Sequence, residues 1–204
     1  MKLRLLTIIL LGLLFTGCSE NKNDNDVSDI DENTSGSYTE ETLNEENVSE
    51  ENSESQEMHV LKFEAKTIEG DEMTSAIFSD SKLTMINVWA TYCNPCLSEM
   101  PDLGEIANSY NATDFQMLGI ISDVAENSDE AAINSANELI KQTKADYPHL
   151  LLNDSLYSNL LSAVDSVPTT FFVNNKGEVL GYVIGANSKE VWEETINELL
   201  EQMQ

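Results

Sequence analysis

Hydrophobic and polar positions divide the chain into three stretches of different character. Residues 5–15 form an apolar run broken only by Thr7 and Gly12, and residues 19–57 contain almost no large apolar residue. From residue 58 onward, short apolar runs alternate with apolar positions spaced three or four residues apart. Such runs predict buried strands, and such spacing predicts amphipathic helices. The pattern therefore predicts one folded domain, residues 58–204, behind a long N-terminal extension.

Strands and helices alternate in the predicted domain. Residues 83–89 are nearly all apolar, which predicts a strand buried on both faces. Further strands are predicted at residues 59–65, 115–122, 150–152, 169–173 and 178–184, with a hairpin turn at residues 68–72. Helices are predicted from Cys93 to about Tyr110 and at residues 130–144, 155–163 and 189–203. This order predicts an α/β fold with a mixed sheet flanked by helices.

The N-terminal apolar run has the features of an export signal. Lys2 and Arg4 precede it, and it is too short for a membrane-spanning helix, which needs about 20 apolar residues. It ends in FTGC at residues 15–18, which resembles the lipobox of bacterial lipoproteins with Phe15 in place of the usual leucine. The resemblance implies that residues 1–17 are a signal peptide and that Cys18 is lipidated. An uncleaved anchor is the alternative; either way, we expect the remaining chain outside the cytoplasm, attached to a bacterial membrane.

The chain is strongly acidic, with 10 Lys+Arg against 37 Asp+Glu and a net charge of −27. A nucleic-acid binder needs a basic surface, so this class of function is excluded. Residues 19–57 hold 14 of the acids and one base, Lys22, whereas the predicted domain holds 23 acids and 7 lysines. High charge with low hydrophobicity predicts that residues 18–57 form a disordered tether, about 35 Å across as a flexible coil.

Two cysteines carry the candidate chemistry of the domain. Cys93 and Cys96 are three residues apart, where a predicted strand meets a predicted helix, and Pro95 between them suits a first helical turn. The unpaired N–H groups and the positive dipole at a helix start favour a thiolate, which is the nucleophilic form. The close spacing lets one cysteine attack a mixed disulfide that the other has formed. The pair therefore indicates redox chemistry.

Two other interpretations of the cysteine pair are open. A zinc site would need two further ligands, and the histidines available, His59 and His149, are predicted to be exposed at a loop or a strand edge. We therefore expect no metal. A purely structural disulfide is the second alternative, although a ring closed over three residues constrains little entropy in the unfolded chain.

Motifs around the cysteines resemble those of the thioredoxin superfamily. They are NVWATYCNPC at residues 87–96, EMP at residues 99–101 and VPTTFFV at residues 167–173. The similarity is greatest to membrane-tethered thiol-disulfide oxidoreductases of the TlpA/ResA type, and it extends over residues 58–204. It implies a thioredoxin-like mixed sheet with an N-terminal hairpin and a helical insertion. It also implies a redox-active disulfide that needs no cofactor.

The resemblance implies roles for individual residues as well. Cys93 is expected to attack the substrate disulfide and Cys96 to resolve the intermediate, with Trp89 packed beside the active site. The peptide bond before Pro168 is expected to be cis. The residues expected to face the disulfide and to pair with the substrate chain are Val167, Pro168 and Thr169.

Three positions differ from those of many relatives, and one of them is Tyr92, which replaces a commoner tryptophan. Asn87 stands where cytosolic thioredoxins carry a buried aspartate, so it cannot take the proton of Cys96; asparagine is usual here among the tethered relatives. Asn94 lies where some ResA-like members have glutamate. We hypothesise that Asp123 or Glu126 supplies the missing carboxylate, because both follow a predicted strand and strand ends face the site in α/β sheets. Solvated loop acids are the alternative interpretation.

The resemblance favours a reductase of disulfides in exported proteins, such as apocytochrome c or oxidised repair enzymes. Its electron donor is expected to be a membrane protein of the CcdA/DsbD type, and the chain itself is expected to be a monomer. A disulfide-introducing oxidase is one alternative, and a non-catalytic lipoprotein module with an inert disulfide is another. A peroxiredoxin-like peroxidase is disfavoured: Ala90 replaces the threonine needed three residues before Cys93, and no proline lies seven residues before it.

Overall fold

A computed structural model describes residues 59–203 of the protein. The signal peptide predicted at residues 1–17, the lipidation predicted at Cys18 and the tether predicted to reach residue 57 lie outside the described residues. None of the helices within residues 59–203 has both the length and the apolar character that crossing a lipid bilayer requires.

Five strands form the central sheet in the order β5–β4–β3–β6–β7. Their bounds are β3 Leu83–Trp89, β4 Phe115–Ala125, β5 His149–Leu152, β6 Thr169–Asn174 and β7 Val179–Ile184. Strands β3, β4 and β5 run parallel to one another, whereas β6 is antiparallel to β3 and β7 is antiparallel to β6. Every residue of β3 is buried, because this middle strand is covered on both faces.

Four α-helices lie within the described residues. Their bounds are α1 Asn94–Ala107, α2 Glu130–Thr143, α3 Asp154–Asn159 and α4 Lys189–Gln202. The side chains of Asp129 and Asn153 accept hydrogen bonds from the first turns of α2 and α3, which satisfies N–H groups that have no partner inside the helix. Lys144 ends α2 in the left-handed conformation, with φ of 56°.

A small N-terminal hairpin precedes the central sheet. Strands β1 (Glu64–Lys66) and β2 (Glu72–Thr74) pair antiparallel, and a 3₁₀ segment follows at Ser75–Asp80. The hairpin turn contains Gly70, whose φ of 97° suits a residue without a side chain. Thr67 forms an isolated bridge with Leu150, which places the hairpin at the β5 side of the molecule.

Two apolar layers cover the two faces of the sheet. Helices α1, α2 and α4 cover one face with residues such as Met100, Ala136 and Trp192, and this layer also contains both cysteines. The N-terminal segment, the first 3₁₀ segment and α3 cover the other face, with Phe78 and Leu156 fully buried. Burying a large apolar side chain stabilises the fold by roughly 1.5–3 kcal/mol, so both layers hold the sheet in place.

The predicted fold class is confirmed: the sheet is mixed, helices flank it, and the hairpin and the helical insertion are present. Several predicted elements differ in extent: the strand predicted to end at residue 122 continues to Ala125, and the helix predicted to reach about Tyr110 ends at Ala107. Two further elements are interrupted. The strand predicted at residues 59–65 is regular only from Glu64, because Val60 and Leu61 pair instead with the turn between β6 and β7. The helix predicted at residues 155–163 breaks at Leu160 and continues as a 3₁₀ turn, Leu161–Ala163.

The packing between β4 and β5 leaves no space for a side chain at Gly119. Gly119 pairs with His149 in the register, and a Cβ at Gly119 would collide with the imidazole of His149. We expect Gly119→Ala to lower the free energy of unfolding by about 1–3 kcal/mol or more, because a close-packed core relaxes only at a cost. Urea denaturation measures the change.

Gly181→Ala in β7 is the matched control, since a Cβ there would meet no atom within 4 Å. This variant should be as stable as the original chain or slightly more stable, because alanine loses less backbone entropy than glycine on folding. Equal denaturation midpoints for the two variants would contradict the packing argument.

Candidate active site

The two cysteines form a disulfide at the start of α1. Cys93 is the N-cap residue of the helix, and its Sγ accepts a hydrogen bond from the backbone N–H of Cys96 at 3.2 Å. Cys93 is 6% exposed and Cys96 is fully buried. Of the two sulfurs, therefore, the one that a substrate can reach is that of Cys93, and it lies where the helix dipole favours a thiolate.

The loop before β6 lies against the disulfide. The carbonyl oxygen of Val167 is 3.6 Å from Sγ of Cys93, and the Val167–Pro168 peptide bond is cis. Pro168 and Thr169 are buried, and the Thr169 hydroxyl donates to the carbonyl of Ser166 at 2.7 Å. Val167 is half-buried, and its carbonyl oxygen brings the backbone of this loop next to the reachable sulfur.

The residues between the cysteines face solvent. Asn94 and Pro95 are exposed and form the first turn of α1. A proline in this position breaks no hydrogen bond, because the first N–H groups of a helix have no partner within it. Asn94 offers no acidic group there, so any carboxylate that serves the pair comes from elsewhere in the fold.

Asp123 stabilises the loop that leads into the cysteine motif. Its two carboxylate oxygens accept hydrogen bonds from the backbone N–H of Thr91 at 3.0 and 3.1 Å, and the Thr91 hydroxyl donates to it as well. Thr91 precedes Cys93 by two residues. Asp123 is exposed near the end of β4, and these hydrogen bonds hold the loop that leads to the cysteines. Its proposed acid–base role stays a prediction.

Glu126 is bonded to a different part of the molecule. Its carboxylate accepts hydrogen bonds from the backbone N–H of Lys66 at 3.0 Å and from the Asn153 amide at 2.6 Å. These contacts join the N-terminal hairpin to the end of β5. Glu126 thus connects these two elements. Its hydrogen bonds within the described residues go to Lys66 and Asn153 and not to the cysteine loop.

A third carboxylate, which the sequence analysis did not assign, lies on the buried side of α1, three residues after Cys96. Glu99 is 3% exposed and accepts hydrogen bonds from the Asn87 amide at 3.1 Å, from the backbone N–H of Asn187 at 3.2 Å and from the indole of Trp192 at 3.3 Å. It follows Cys96 by three residues on α1, so the two side chains lie on the same side of the helix. A sequence signal existed: a glutamate occupies the inward-facing side of α1.

Burial raises the pKa of the Glu99 carboxyl above its usual value of 4.5, and the neighbouring charge of Asp102 adds to this rise. The hydrogen bonds from Asn187, Asn87 and Trp192 lower the pKa, but the cost of removing a charge from water exceeds their effect. A carboxyl with a raised pKa takes up and releases a proton closer to neutral pH than an exposed one. Glu99 is therefore suited to exchange a proton on the buried side of α1.

Asn87 connects the buried carboxylate to strand β6. Its amide nitrogen also donates to the hydroxyl of Thr170 at 3.1 Å, whereas its oxygen has no hydrogen-bond partner. Among residues 59–203, the other buried side-chain atom without a partner is the hydroxyl oxygen of Tyr147. An unpartnered buried acceptor costs free energy.

The predicted exposure of His149 was wrong. His149 is fully buried in β5, where Nδ1 accepts a hydrogen bond from the indole of Trp89 at 3.1 Å and Nε2 lies 3.0 Å from the carbonyl oxygen of Ala145. The sequence analysis placed His149 at an exposed loop or strand edge, whereas the ring of Tyr147 packs against its imidazole with 4.5 Å between the ring centroids. His149 thereby holds Trp89, which is buried in the same apolar layer as both cysteines.

No group of three or more His, Cys, Asp or Glu side chains within the described range is placed to hold a metal ion. The reactive groups of the site are the reachable sulfur of Cys93, the buried sulfur of Cys96 and the buried carboxyl of Glu99.

Comparisons with known proteins identify the family of the chain. The sequence profile of the AhpC/TSA family matches residues 57–181, more than half of the chain. The chain belongs to the AhpC/TSA family. Its motifs and its cysteine pair place it with the thioredoxin-like members of this family.

Two curated relatives and one solved structure illustrate the likeness. The thioredoxin-like protein YneN of Bacillus subtilis is 27% identical over 66% of this chain and 75% of its own length. The thiol-disulfide oxidoreductase ResA of Bacillus cereus is 26% identical over 53% of this chain and 58% of its own length. A thiol:disulfide interchange protein of Chlorobium tepidum has the same fold, with a TM-score of 0.58 and 23% identity over 70% of this chain and 96% of that one.

The buried imidazole predicts a specific pH dependence of stability. Burial lowers the pKa of His149 from 6.5 to about 4, so the unfolded chain takes up a proton between these values and the folded chain does not. The contribution of the neutral imidazole to the free energy of unfolding is fully present above pH 6.5. It falls by on the order of 3 kcal/mol as the pH drops towards 4. Glu99, whose pKa is raised in the fold, makes the protein more stable as the pH falls. The effect of His149 is therefore measured by comparison with a variant that lacks the imidazole.

His149→Gln removes the titrating group and should be less stable than the original chain at pH 7. The difference in free energy of unfolding between the two proteins should shrink as the pH falls from 6.5 to 4. Urea denaturation at several pH values measures it. A difference that stays constant across this range would show that His149 is not held neutral by burial.

Proposed function

We propose that this thiol-disulfide oxidoreductase reduces disulfides in exported proteins through its Cys93–Cys96 pair. The observation that carries the direction of electron flow is the electrostatic surroundings of the pair. Carboxylates lie beneath it and beside its loop, in Glu99 and Asp123, and the one buried histidine nearby, His149, is neutral at physiological pH. None of the described residues that line the cavity next to Cys93 is basic.

Negative surroundings disfavour a thiolate and therefore destabilise the reduced form of a dithiol. A pair whose reduced form is destabilised gives up its electrons more readily, which makes it a reductant. The start of α1 acts in the opposite sense on Cys93 and keeps that sulfur reactive. The arrangement combines an accessible nucleophile with a pair that favours the disulfide.

The proposed reaction has two exchange steps. The Cys93 thiolate attacks one sulfur of the substrate disulfide: a Cys93–substrate bond forms, the substrate S–S bond breaks, and the leaving sulfur takes up a proton. Cys96 then loses its proton and attacks the Cys93 sulfur, which releases the second substrate sulfur as a thiolate. Two electrons pass to the substrate, and the protein ends with the Cys93–Cys96 disulfide.

Glu99 is the proposed acceptor of the Cys96 proton. Cys96 is fully buried, so water does not reach its sulfur directly, and a carboxyl one helical turn away with a raised pKa is suited to take the proton. The acid–base roles predicted for Asp123 and Glu126 remain open beside this assignment. It rests on the position of Glu99 under α1 and on its burial.

The location and the electron donor belong to the same proposal. The export signal and the lipobox at residues 1–18 support a lipid-anchored protein outside the cytoplasm, with the acidic stretch as a spacer. The outside of the cell is oxidising and offers no soluble reductant, so a membrane protein of the CcdA/DsbD type would recharge the pair. Apocytochrome c and oxidised repair enzymes are the proposed substrate classes.

The reduction potential tests the direction of electron flow. We expect the purified protein to equilibrate with dithiol buffers near the potential of thioredoxin, about −270 mV, and far below that of an oxidase such as DsbA, about −120 mV. The fluorescence of the indole of Trp89, buried in the layer that contains both cysteines, reports the transition. A value near −120 mV would instead identify a disulfide donor, and no transition would leave a structural bridge.

Glu99→Gln tests the electrostatic cause of a low potential. Removing the buried carboxyl should raise the potential by about 30 mV, which is roughly a tenfold change in the equilibrium constant. Glu138→Gln is the matched control, because it removes the same charge from the exposed face of α2 and should leave the potential unchanged. Equal shifts in both variants would mean that net charge, rather than Glu99, sets the potential.

Cys96→Ser separates a catalytic pair from an inert bridge. Without the resolving sulfur, the exchange stops after its first step, so substrates should remain covalently bonded to Cys93. Non-reducing gels of cells that produce the variant should show mixed disulfides that disappear on reduction. Cys93→Ser is the control and should show none, because the remaining Cys96 sulfur is fully buried. No adducts with Cys96→Ser would favour a non-catalytic module.

A further inference from the structure

We propose that a cavity beside Cys93 is a subsite for a lysine or arginine side chain that adjoins the cysteine of the substrate disulfide. The inference deepens the thiol-disulfide exchange proposed above and rests on it. It assigns substrate selection to three residues that take no part in the sulfur chemistry: Tyr92, Tyr157 and Asp165.

The cavity lies next to the reactive sulfur. Its volume is about 250 Å³, and its lining includes Tyr92, which directly precedes Cys93, and Val167, whose carbonyl oxygen is 3.6 Å from Sγ of Cys93. A substrate whose sulfur is bonded to Cys93 must therefore hold its neighbouring residues near this cavity. The side chain next to the substrate cysteine is the one best placed to enter it.

The lining suits a long side chain with a cationic tip. Aliphatic side chains that can cover a methylene stem are supplied by Leu152, Leu161, Val164 and Val167. Tyr92 is 75% exposed and Tyr157 is 57% exposed, so their rings are accessible to an ammonium or guanidinium group. Asp165 lines the same cavity and is exposed, so its carboxylate can pair with that group.

The charge around the cavity has one sign. None of the described residues that line it is basic, and a neighbouring cavity of about 480 Å³ continues the surface through the shared Leu152 and Tyr157. Glu126 and Asp154 line that neighbour, again with no base among its lining residues. Complementary charge across an interface favours the correct partner and penalises an acidic one. A cationic residue therefore fits where an acidic residue would be repelled.

Symmetric peptide disulfides test the proposal without ambiguity about which sulfur is attacked. Each substrate is a disulfide-linked dimer of one short peptide, with lysine, leucine or glutamate next to its cysteine. The rate constant for oxidation of the reduced protein is measured by stopped-flow Trp fluorescence. We expect the lysine dimer to react about tenfold faster than the leucine dimer, and the glutamate dimer to be slowest. Raising the salt concentration should reduce this preference.

Variants locate the preference in the cavity. Asp165→Asn and Tyr157→Leu should each bring the lysine dimer close to the rate of the leucine dimer. The matched controls are Asp146→Asn and Tyr182→Leu, which change an exposed aspartate and an exposed tyrosine outside the cavity and should keep the preference. Two independent variants keep the test valid if one of them fails to fold.

Hydroxyethyl disulfide, which is small and uncharged, distinguishes failure of the subsite proposal from failure of the proposed exchange reaction. All four variants should react with it at the rate of the original protein. If the original protein reduces hydroxyethyl disulfide but treats the three peptide dimers alike, or prefers leucine, the subsite proposal is overturned and the exchange reaction stands. The same holds if the lysine preference survives both cavity variants. No reaction with any disulfide would overturn the proposed function itself.

Discussion

The burial of one carboxylate joins the parts of the molecule that make the site. Glu99 lies on α1 and accepts hydrogen bonds from Asn87 in β3, from the backbone of Asn187 and from Trp192 in α4. A buried charge is tolerated when donors surround it, so helix α1, strand β3 and helix α4 must keep their relative positions. Since α1 also begins at Cys93, the same network holds the disulfide in place.

The site is asymmetric because its two sulfurs occupy different environments. Cys93 lies at a helix N-terminus that adjoins solvent, and Cys96 lies in the apolar layer with a carboxyl one turn away. A helix N-terminus favours a thiolate, whereas burial in an apolar layer favours a neutral sulfur, and this difference underlies the proposed roles of the two cysteines. Beside them lie the cis bond before Pro168 and the cavity lined by Tyr92 and Tyr157, where we propose that the chain carrying the substrate disulfide binds.

Much of the fold was predictable from local pattern. The apolar run at residues 83–89 is β3 with the bounds predicted, and helices α2 and α4 begin at the predicted residues. The prediction failed at His149, because an imidazole next to a proline reads as polar surface until its partner Trp89, sixty positions away, is known. It overlooked Glu99 for the same reason: charge predicts exposure unless distant donors accompany it.

The sequence by itself determined that the domain is α/β and that two cysteines share the start of one helix, because periodicity and spacing act over a few residues. The tertiary structure decided which carboxylate lies beneath the cysteines, that Asp123 braces Thr91 whereas Glu126 joins the hairpin to β5, and that Tyr92 and Tyr157 line one cavity. These depend on contacts between residues far apart in the chain. Such contacts form only when the whole core packs, and no local pattern encodes them.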